Sequence, residues 1–202
     1  MKENELENII SGENPNSNVT LEIGAGRMSI LNRSGERLEQ LKKNPKDRYI
    51  GVDLCEKDLA RSKEIIESWF GDDGDLINKI FLMVARGEKL PLKNGSANEI
   101  VVSNVFGEPV HRPGDDCKKI LEEIHRVLKE KGILKIIETA SPEVAMDGNW
   151  LLKLIEGKFK LINKTDSENY EQSKDIDKKV LKEPGSYKEK SFIKVYEKIS
   201  EN

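Results

Sequence analysis

At 202 residues, 36% hydrophobic and 35% charged, the chain has the size of one domain with a substantial core and charged outer helix faces. Its 34 basic and 37 acidic side chains leave a formal charge of -3, which gives no global attraction to nucleic acid. No stretch approaches the ~20 apolar residues of a membrane span, and Cys55 and Cys117 have no Cys or His neighbour at zinc-ligand spacing, so two reduced thiols and no metal are expected.

Residues 1–18 form a polar arm in which only Leu6, Ile9 and Ile10 supply an apolar face, and Met1 to Leu6 lacks the apolar core of a signal peptide. A cytoplasmic location is therefore expected. From Val19 a β-prone run carries Glu22 into Gly24 and Gly26, the pattern of a buried strand ending in a tight turn. Glycine there lets backbone amides approach a ligand closely, which predicts a small polar ligand at the strand's carboxyl end; a purely structural turn gives the same pattern. A helix over Glu36 to Lys43 is ended by Asn44-Pro45.

Tyr49 to Leu54 reads as a second strand, followed by an amphipathic helix from Glu56 to Phe70 that Gly71 stops. Gly71 to Asp75 is acidic but lacks calcium-loop spacing, and is expected to be a solvated connector. Strands are expected over Ile80 to Ala85 and Glu99 to Val105, with Pro91 and the Asn94-Gly95 turn between them. Cys117 to Lys129 repeats apolar residues at helical spacing, and Gly132 is expected to close that helix. Ile133 to Thr139 is a fifth strand, Asn149 to Glu156 a helix, and Phe159 to Asn163 and Phe192 to Glu197 the last two strands.

Alternation of strand and helix over residues 19–139 predicts an α/β fold, a mostly parallel seven-stranded sheet with helices on both faces. The final strands lack a helix between them and are expected to add as an antiparallel pair. Residues 19–202 are read as a single domain, with 165–190 as a charged insertion or loop.

In such sheets the ligand lies beyond the carboxyl ends of the strands, where the topology switches direction. Glu22 with the Gly24-Ala25-Gly26 turn, Asp53, Arg86-Gly87-Glu88 and Asn104 all fall at strand ends. Asp53 has two readings: an acceptor for both ribose hydroxyls of a nucleoside, or an acidic residue stabilising the following helix N-terminus.

Four segments in order, Leu-Glu-Ile-Gly-Ala-Gly at 21–26, Tyr-Ile-Gly-Val-Asp at 49–53, Gly-Glu-Lys-Leu-Pro-Leu at 87–92 and Ile-His-Arg-Val-Leu-Lys-Glu-Lys-Gly-Ile-Leu at 124–134, resemble the class I S-adenosylmethionine-dependent methyltransferases. The resemblance covers roughly residues 19–140 and implies that fold (a Rossmann-like sheet), methyl transfer as the activity and S-adenosylmethionine as the cofactor. It implies that Gly24, Ala25 and Gly26 pack against the methionine part, with Glu22 ordering the turn or reaching the amino group through water. By the same resemblance Asp53 takes the ribose hydroxyls, Leu54 lies against the adenine, and Gly87, Glu88 and Asn104 complete the cofactor site. Two positions depart from the pattern: Arg86 stands where a carboxylate often serves the adenine amine, and Met28 where many members have a third glycine.

The loop from Ser103 to Pro113 is where an acceptor would meet the methyl group, and Asn104 and His111 are its catalytic candidates, with Arg112 as an anion binder and Glu108 as a further carboxylate. Asn104-Val-Phe-Gly does not match the Asn or Asp, two prolines and an aromatic of enzymes that methylate exocyclic amines of bases. A short N-terminal arm offers little lid over the site, which favours a macromolecular acceptor; five arginines expected near the rim, Arg27, Arg33, Arg37, Arg86 and Arg112, favour RNA, and the net charge opposes it. The acceptor, small molecule or RNA, and the oligomeric state stay open. A catalytically silent binding protein of this fold is the second reading, and an NAD(P)-binding oxidoreductase, from Gly24-x-Gly26-x-x-Ser29, the third.

Overall fold

The computed structural model describes residues 17–26, 35–106, 115–140, 153–166 and 190–199. Its strands are β1 (Asn18–Ile23), β2 (Asp47–Asp53), β3 (Ile80–Val84), β4 (Ala97–Ser103), β5 (Leu128–Ala140), β6 (Phe159–Asp166) and β7 (Lys190–Lys198). The helices are α1 (Gly35–Lys43), α2 (Glu56–Phe70), α3 (Gly74–Ile77) and α4 (Asp115–Val127).

All seven strands form one sheet in the order β3-β2-β1-β4-β5-β7-β6. β1 runs parallel to β2 and β4, β2 to β3 and β4 to β5, whereas β7 is antiparallel to both β5 and β6. The chain moves outward from β1 through β2 to β3, then crosses back to start β4 on the other side of β1. That reversal puts the topological switch point between β1 and β4, directly beyond Ile23 and Ser103.

β1 shows why the central strands read as almost continuous apolar runs: helices cover both faces, so both alternating sets of side chains are buried. One face packs Leu38 and Leu41 of α1, Ile66 of α2 and Leu76 of α3 against Tyr49 and Ile80. The other packs Ile120, Leu121, Ile124 and Val127 of α4 against Leu21, Ile23, Val52 and Val102. At roughly 1.5–3 kcal/mol per fully buried large aliphatic side chain, these two layers supply the main driving force for the sheet.

Two local expectations are corrected. Gly132 does not close α4: the helix ends at Val127, and Leu128 already pairs with Ala97. The register then slips between Ala97 and Glu99, Lys131 takes φ 59°, and a Cβ on Gly132 would lie 2.7 Å from both Leu128 Cγ and Lys129 O. Glycine is needed there by close packing in a bulged strand start. The acidic stretch at 71–75 is more than a connector, since the Asp73 side chain accepts from Leu76 N at 3.0 Å and caps α3, which lets Leu76 be buried. Of the helix expected over 149–156, residues 153–155 are helical and 149–152 lie outside the described residues, as do most of 165–190 and residues 1–16.

Candidate functional site

The turn after β1 is built for glycine. Gly24 has φ +82°, and a Cβ there would sit 2.4 Å from the Ser103 carbonyl oxygen and 2.8 Å from Val105 Cγ2. The Gly24 and Ala25 N–H groups both donate to Val52 O, at 2.9 and 3.0 Å, stitching the turn to β2. Beneath it Glu22 is wholly buried, accepting from Tyr49 OH on Oε2 and from Ser103 Oγ on Oε1 at 2.8 Å. One carboxylate therefore joins β1, β2 and β4 beneath the glycine turn. Sequence reasoning did not find Tyr49 and Ser103. The signal was present, because an acidic side chain inside a strand buried on both faces must be hydrogen-bonded by its neighbours.

Asp53 sits half-buried at the end of β2. Its Oδ2 accepts from Gly26 N at 2.9 Å and its Oδ1 from Cys55 N at 2.8 Å, so it ties the glycine turn to the start of α2. Ser62 of α2 adds a second tie, donating to Gly26 O at 2.6 Å. Each carboxylate oxygen has a further lone pair, so these bonds leave capacity for two ligand hydroxyls. Leu54, next in the chain, is 51% exposed, and Val84, the β3 partner of Asp53, is 56% exposed. Two exposed apolar side chains beside a ribose-type acceptor suit an aromatic base. Val84 was missed because in sequence it reads as strand interior.

Beyond β3, Lys89 N donates to Arg86 O at 3.0 Å and closes a turn in which Arg86 Nε donates to Glu88 Oε1 at 2.5 Å. Gly87 is buried, and a Cβ on it would lie 3.2 Å from Ile23 and 3.4 Å from Ile120. The following segment is clamped from α4. Arg126 donates to Leu90 O at 3.2 Å, Leu92 O at 2.7 Å and Asn94 Oδ1 at 2.8 Å, while Glu123 accepts from Leu90 N at 2.7 Å and pairs with Arg126 at 2.6 Å. The hydrogen bonds from Arg126 hold the Glu123 carboxyl below its ordinary pKa. Two of the four segments that carried the family resemblance are thus one interlocked unit.

Asn104 takes φ 51°, an uncommon conformation for a residue other than glycine, and its N–H donates to Ile137 O at 2.8 Å. That fixes it half-buried at the switch point, between Ser103 and Val105, the two residues that close on Gly24. His111, Glu108, Arg112, Arg27, Met28 and Arg33 lie outside the described residues. Arg37 is not on the rim. It pairs with Glu99, early in β4, which also pairs with Lys135 at 2.5 Å. Burial pushes the Glu99 carboxyl up, but these two cations outweigh it and hold its pKa below the ordinary 4.5.

The profile of the family described as "Methyltransferase domain" matches residues 21–136, more than half of the chain. The chain belongs to the methyltransferase domain family. The matched span of the methyltransferase domain runs from β1 into β5 and takes in the glycine turn, Asp53, the Arg86–Leu92 segment and α4. No curated protein sequence matches the chain. Among solved structures, it is similar to a SAM-dependent methyltransferase from Methanosarcina mazei, at 16% identity and TM-score 0.63, covering 92% of this chain and 94% of that one. It is also similar to a 30S ribosomal A1408 methyltransferase from an uncultured bacterium, at 18% identity, TM-score 0.62 and 98% and 94% coverage. A third, an antibiotic-related methyltransferase, gives 20% identity, TM-score 0.62 and the same coverages. At such identities the likeness carries the fold and not the substrate.

S-adenosylmethionine is the cofactor that membership of the methyltransferase domain family brings, and the residues present fit it. A Cβ at Gly24 has no room, a Cβ at Gly26 would stand 3.2 Å from Asp53 Oδ2, and acceptor and apolar groups for a nucleoside lie together at the ends of β2 and β3. Among the described residues of the methyltransferase domain no three His, Cys, Asp or Glu side chains gather to hold a metal, and no helix is long and apolar enough to cross a membrane.

Proposed function

We propose that this chain transfers a methyl group from S-adenosylmethionine to a nucleophile on a small molecule. The observation that carries the reading is Asp53: a carboxylate fixed by two backbone N–H groups where the glycine turn meets α2, with exposed Leu54 next in the chain and exposed Val84 as its register partner on β3. When bound, the cofactor supplies an electrophilic methyl on a sulfonium, so that the new bond to carbon forms as the carbon–sulfur bond breaks and sulfur keeps the electron pair.

The chain's own part is to hold and align. The Gly24–Gly26 backbone takes the methionine end, Asp53 accepts from the two ribose hydroxyls, and Leu54 and Val84 cover the base. Asn104 stands at the acceptor side, its amide able to donate to or accept from the nucleophile. His111 is assigned as general base for a nucleophile that must lose its proton early.

Two findings support a small acceptor over RNA. Of the arginines expected at the rim, Arg37 is spent on Glu99 away from the carboxyl ends, and Arg86 is neutralised by Glu88. The net charge of -3 gives no global attraction for a phosphate backbone. The test is labelled methyl transfer from S-adenosylmethionine to a metabolite extract and, separately, to total RNA. Label in the metabolite fraction is expected. Label in RNA refutes the small acceptor, and tight binding of S-adenosylhomocysteine with label in neither leaves a silent binding protein. No heat of binding at millimolar S-adenosylhomocysteine removes the cofactor reading altogether.

A further inference from the structure

Resting on the reading of the Gly24–Gly26 turn as the cofactor's seat, we infer that Ser62 of α2 is a positioning residue for the cofactor, acting through the backbone of Gly26. The buried stripe of α2 is Leu59, Ser62 and Ile66, spaced as one helix face. A serine in the middle of such a stripe gives up the apolar burial that its neighbours supply, and its hydroxyl needs a partner there. Ser62 is wholly buried, and its Oγ donates to Gly26 O at 2.6 Å, 36 residues back in the chain. Ser68, the other serine of α2, is exposed and donates to the Ile65 carbonyl of its own helix at 2.8 Å.

Gly26 is held at both of its polar groups. Its N–H donates to Asp53 Oδ2 at 2.9 Å and its carbonyl accepts from Ser62. The Gly24 and Ala25 N–H groups are both on Val52 O, so β2 and its last residue fix the three N–H groups of the turn, while α2 fixes its final carbonyl. A Cβ on Gly26 would also stand 3.5 Å from Asp58 Cβ, one turn before Ser62, so α2 lies directly against the turn. Glycine has the widest choice of backbone conformations, and with no side chain to pack, Gly26 depends on these bonds for its orientation. Without the Ser62 hydroxyl the carbonyl is free to turn. Binding must then also order the turn, which weakens it and loosens the alignment of the cofactor.

The experiment is calorimetric titration with S-adenosylhomocysteine, paired with urea unfolding of the unliganded chain, for wild type, Ser62→Ala, Ser62→Thr and Ile66→Val. Ser62→Ala is expected to bind about 3- to 10-fold more weakly, the scale of one lost hydrogen bond. Ser62→Thr keeps the hydroxyl and is expected to bind as wild type does. Ile66→Val removes a methylene one turn further along the same stripe, and is expected to lower the urea midpoint while leaving the affinity unchanged. A purely structural role for Ser62 would lower the midpoint of Ser62→Ala and leave its affinity at the wild-type value, and that result overturns the proposal. So does equal weakening in Ser62→Thr or in Ile66→Val, which would tie affinity to the general packing of α2 rather than to the hydroxyl. If Ser62→Ala does not fold, Ser62→Cys, a weaker donor at the same place, stands in for it in the comparison. Failure of the wild-type chain to bind is a different outcome: it removes the cofactor site itself, and this proposal with it.

Discussion

Replacing Asp53 by alanine separates the two readings that its position allows. The carboxylate holds Gly26 N at 2.9 Å and Cys55 N at 2.8 Å, so the variant gives up two backbone hydrogen bonds. Both N–H groups lie where water can reach them, and at ~0.5–1.5 kcal/mol net for each bond the loss of unfolding free energy should be about 1–3 kcal/mol. If Asp53 also accepts from ribose hydroxyls, binding loses hydrogen bonds to a charged acceptor at ~1.5–3 kcal/mol, roughly 10- to 150-fold in Kd for S-adenosylhomocysteine. Asp53→Asn keeps the shape and one acceptor oxygen, but sets an NH2 donor against one of the two backbone N–H groups. Its affinity should fall between wild type and alanine. Urea unfolding reports the first number and calorimetry the second. A folded Asp53→Ala chain that binds within twofold of wild type leaves only the helix-start role and ends the ribose assignment.

Gly24→Ala should cost about 2–4 kcal/mol in urea unfolding, because an L residue at φ +82° is strained and the new Cβ would meet the backbone oxygen of Ser103 at 2.4 Å; an unchanged midpoint would mean the turn is not built as described. Glu99 has a folded pKa below its ordinary 4.5, so its contribution is present above that value and is lost as pH falls through the folded pKa. Glu99→Gln should therefore be less stable near neutral pH, by on the order of 1 kcal/mol, and should show a flatter loss below pH 4.5 in thermal melts; parallel curves contradict the ion-pair account. Tyr196 is buried with no partner for its hydroxyl among the described residues, and burial lifts its pKa from 10.0 to about 12. Tyr196→Phe should be neutral or stabilising by up to ~1 kcal/mol. Wild type should lose more stability than the variant as pH rises from 10 towards 12, and an equal loss in the two would place the alkaline transition elsewhere.

The fold was legible because its signals are local and repeated. α2 falls on Glu56–Phe70 as its apolar spacing and Gly71 require, and each parallel strand ends at or within two residues of the expected place. What was not legible depends on partners distant in sequence. Gly132 looks like a helix cap until Leu128 is seen pairing with Ala97, and Arg37 looks like a rim cation until β4 brings Glu99 beside it. Val84 is indistinguishable from a core valine along the chain, because its exposure follows only from the sheet ending there. The Glu123 and Arg126 clamp is likewise invisible in a single sequence, yet it is the physical reason two of the resembling segments belong together.

The same dependence explains how the site is supported. Glu22 is the one wholly buried carboxylate in the described sheet, and it is tolerated because Tyr49 and Ser103 bring hydroxyls to it from the strands on either side. Ser103 thereby has two duties: its side chain holds Glu22, and its carbonyl oxygen occupies the space that a Cβ on Gly24 would need. Asn104 follows at once, with its N–H on Ile137 and its backbone in the left-handed region. Two adjacent residues at the end of β4 thus shape the glycine turn on one side and, in the proposed reading, would present the acceptor-side amide on the other. In a reaction that depends on aligning donor and nucleophile, one rigid element setting both positions is worth more than two separate loops.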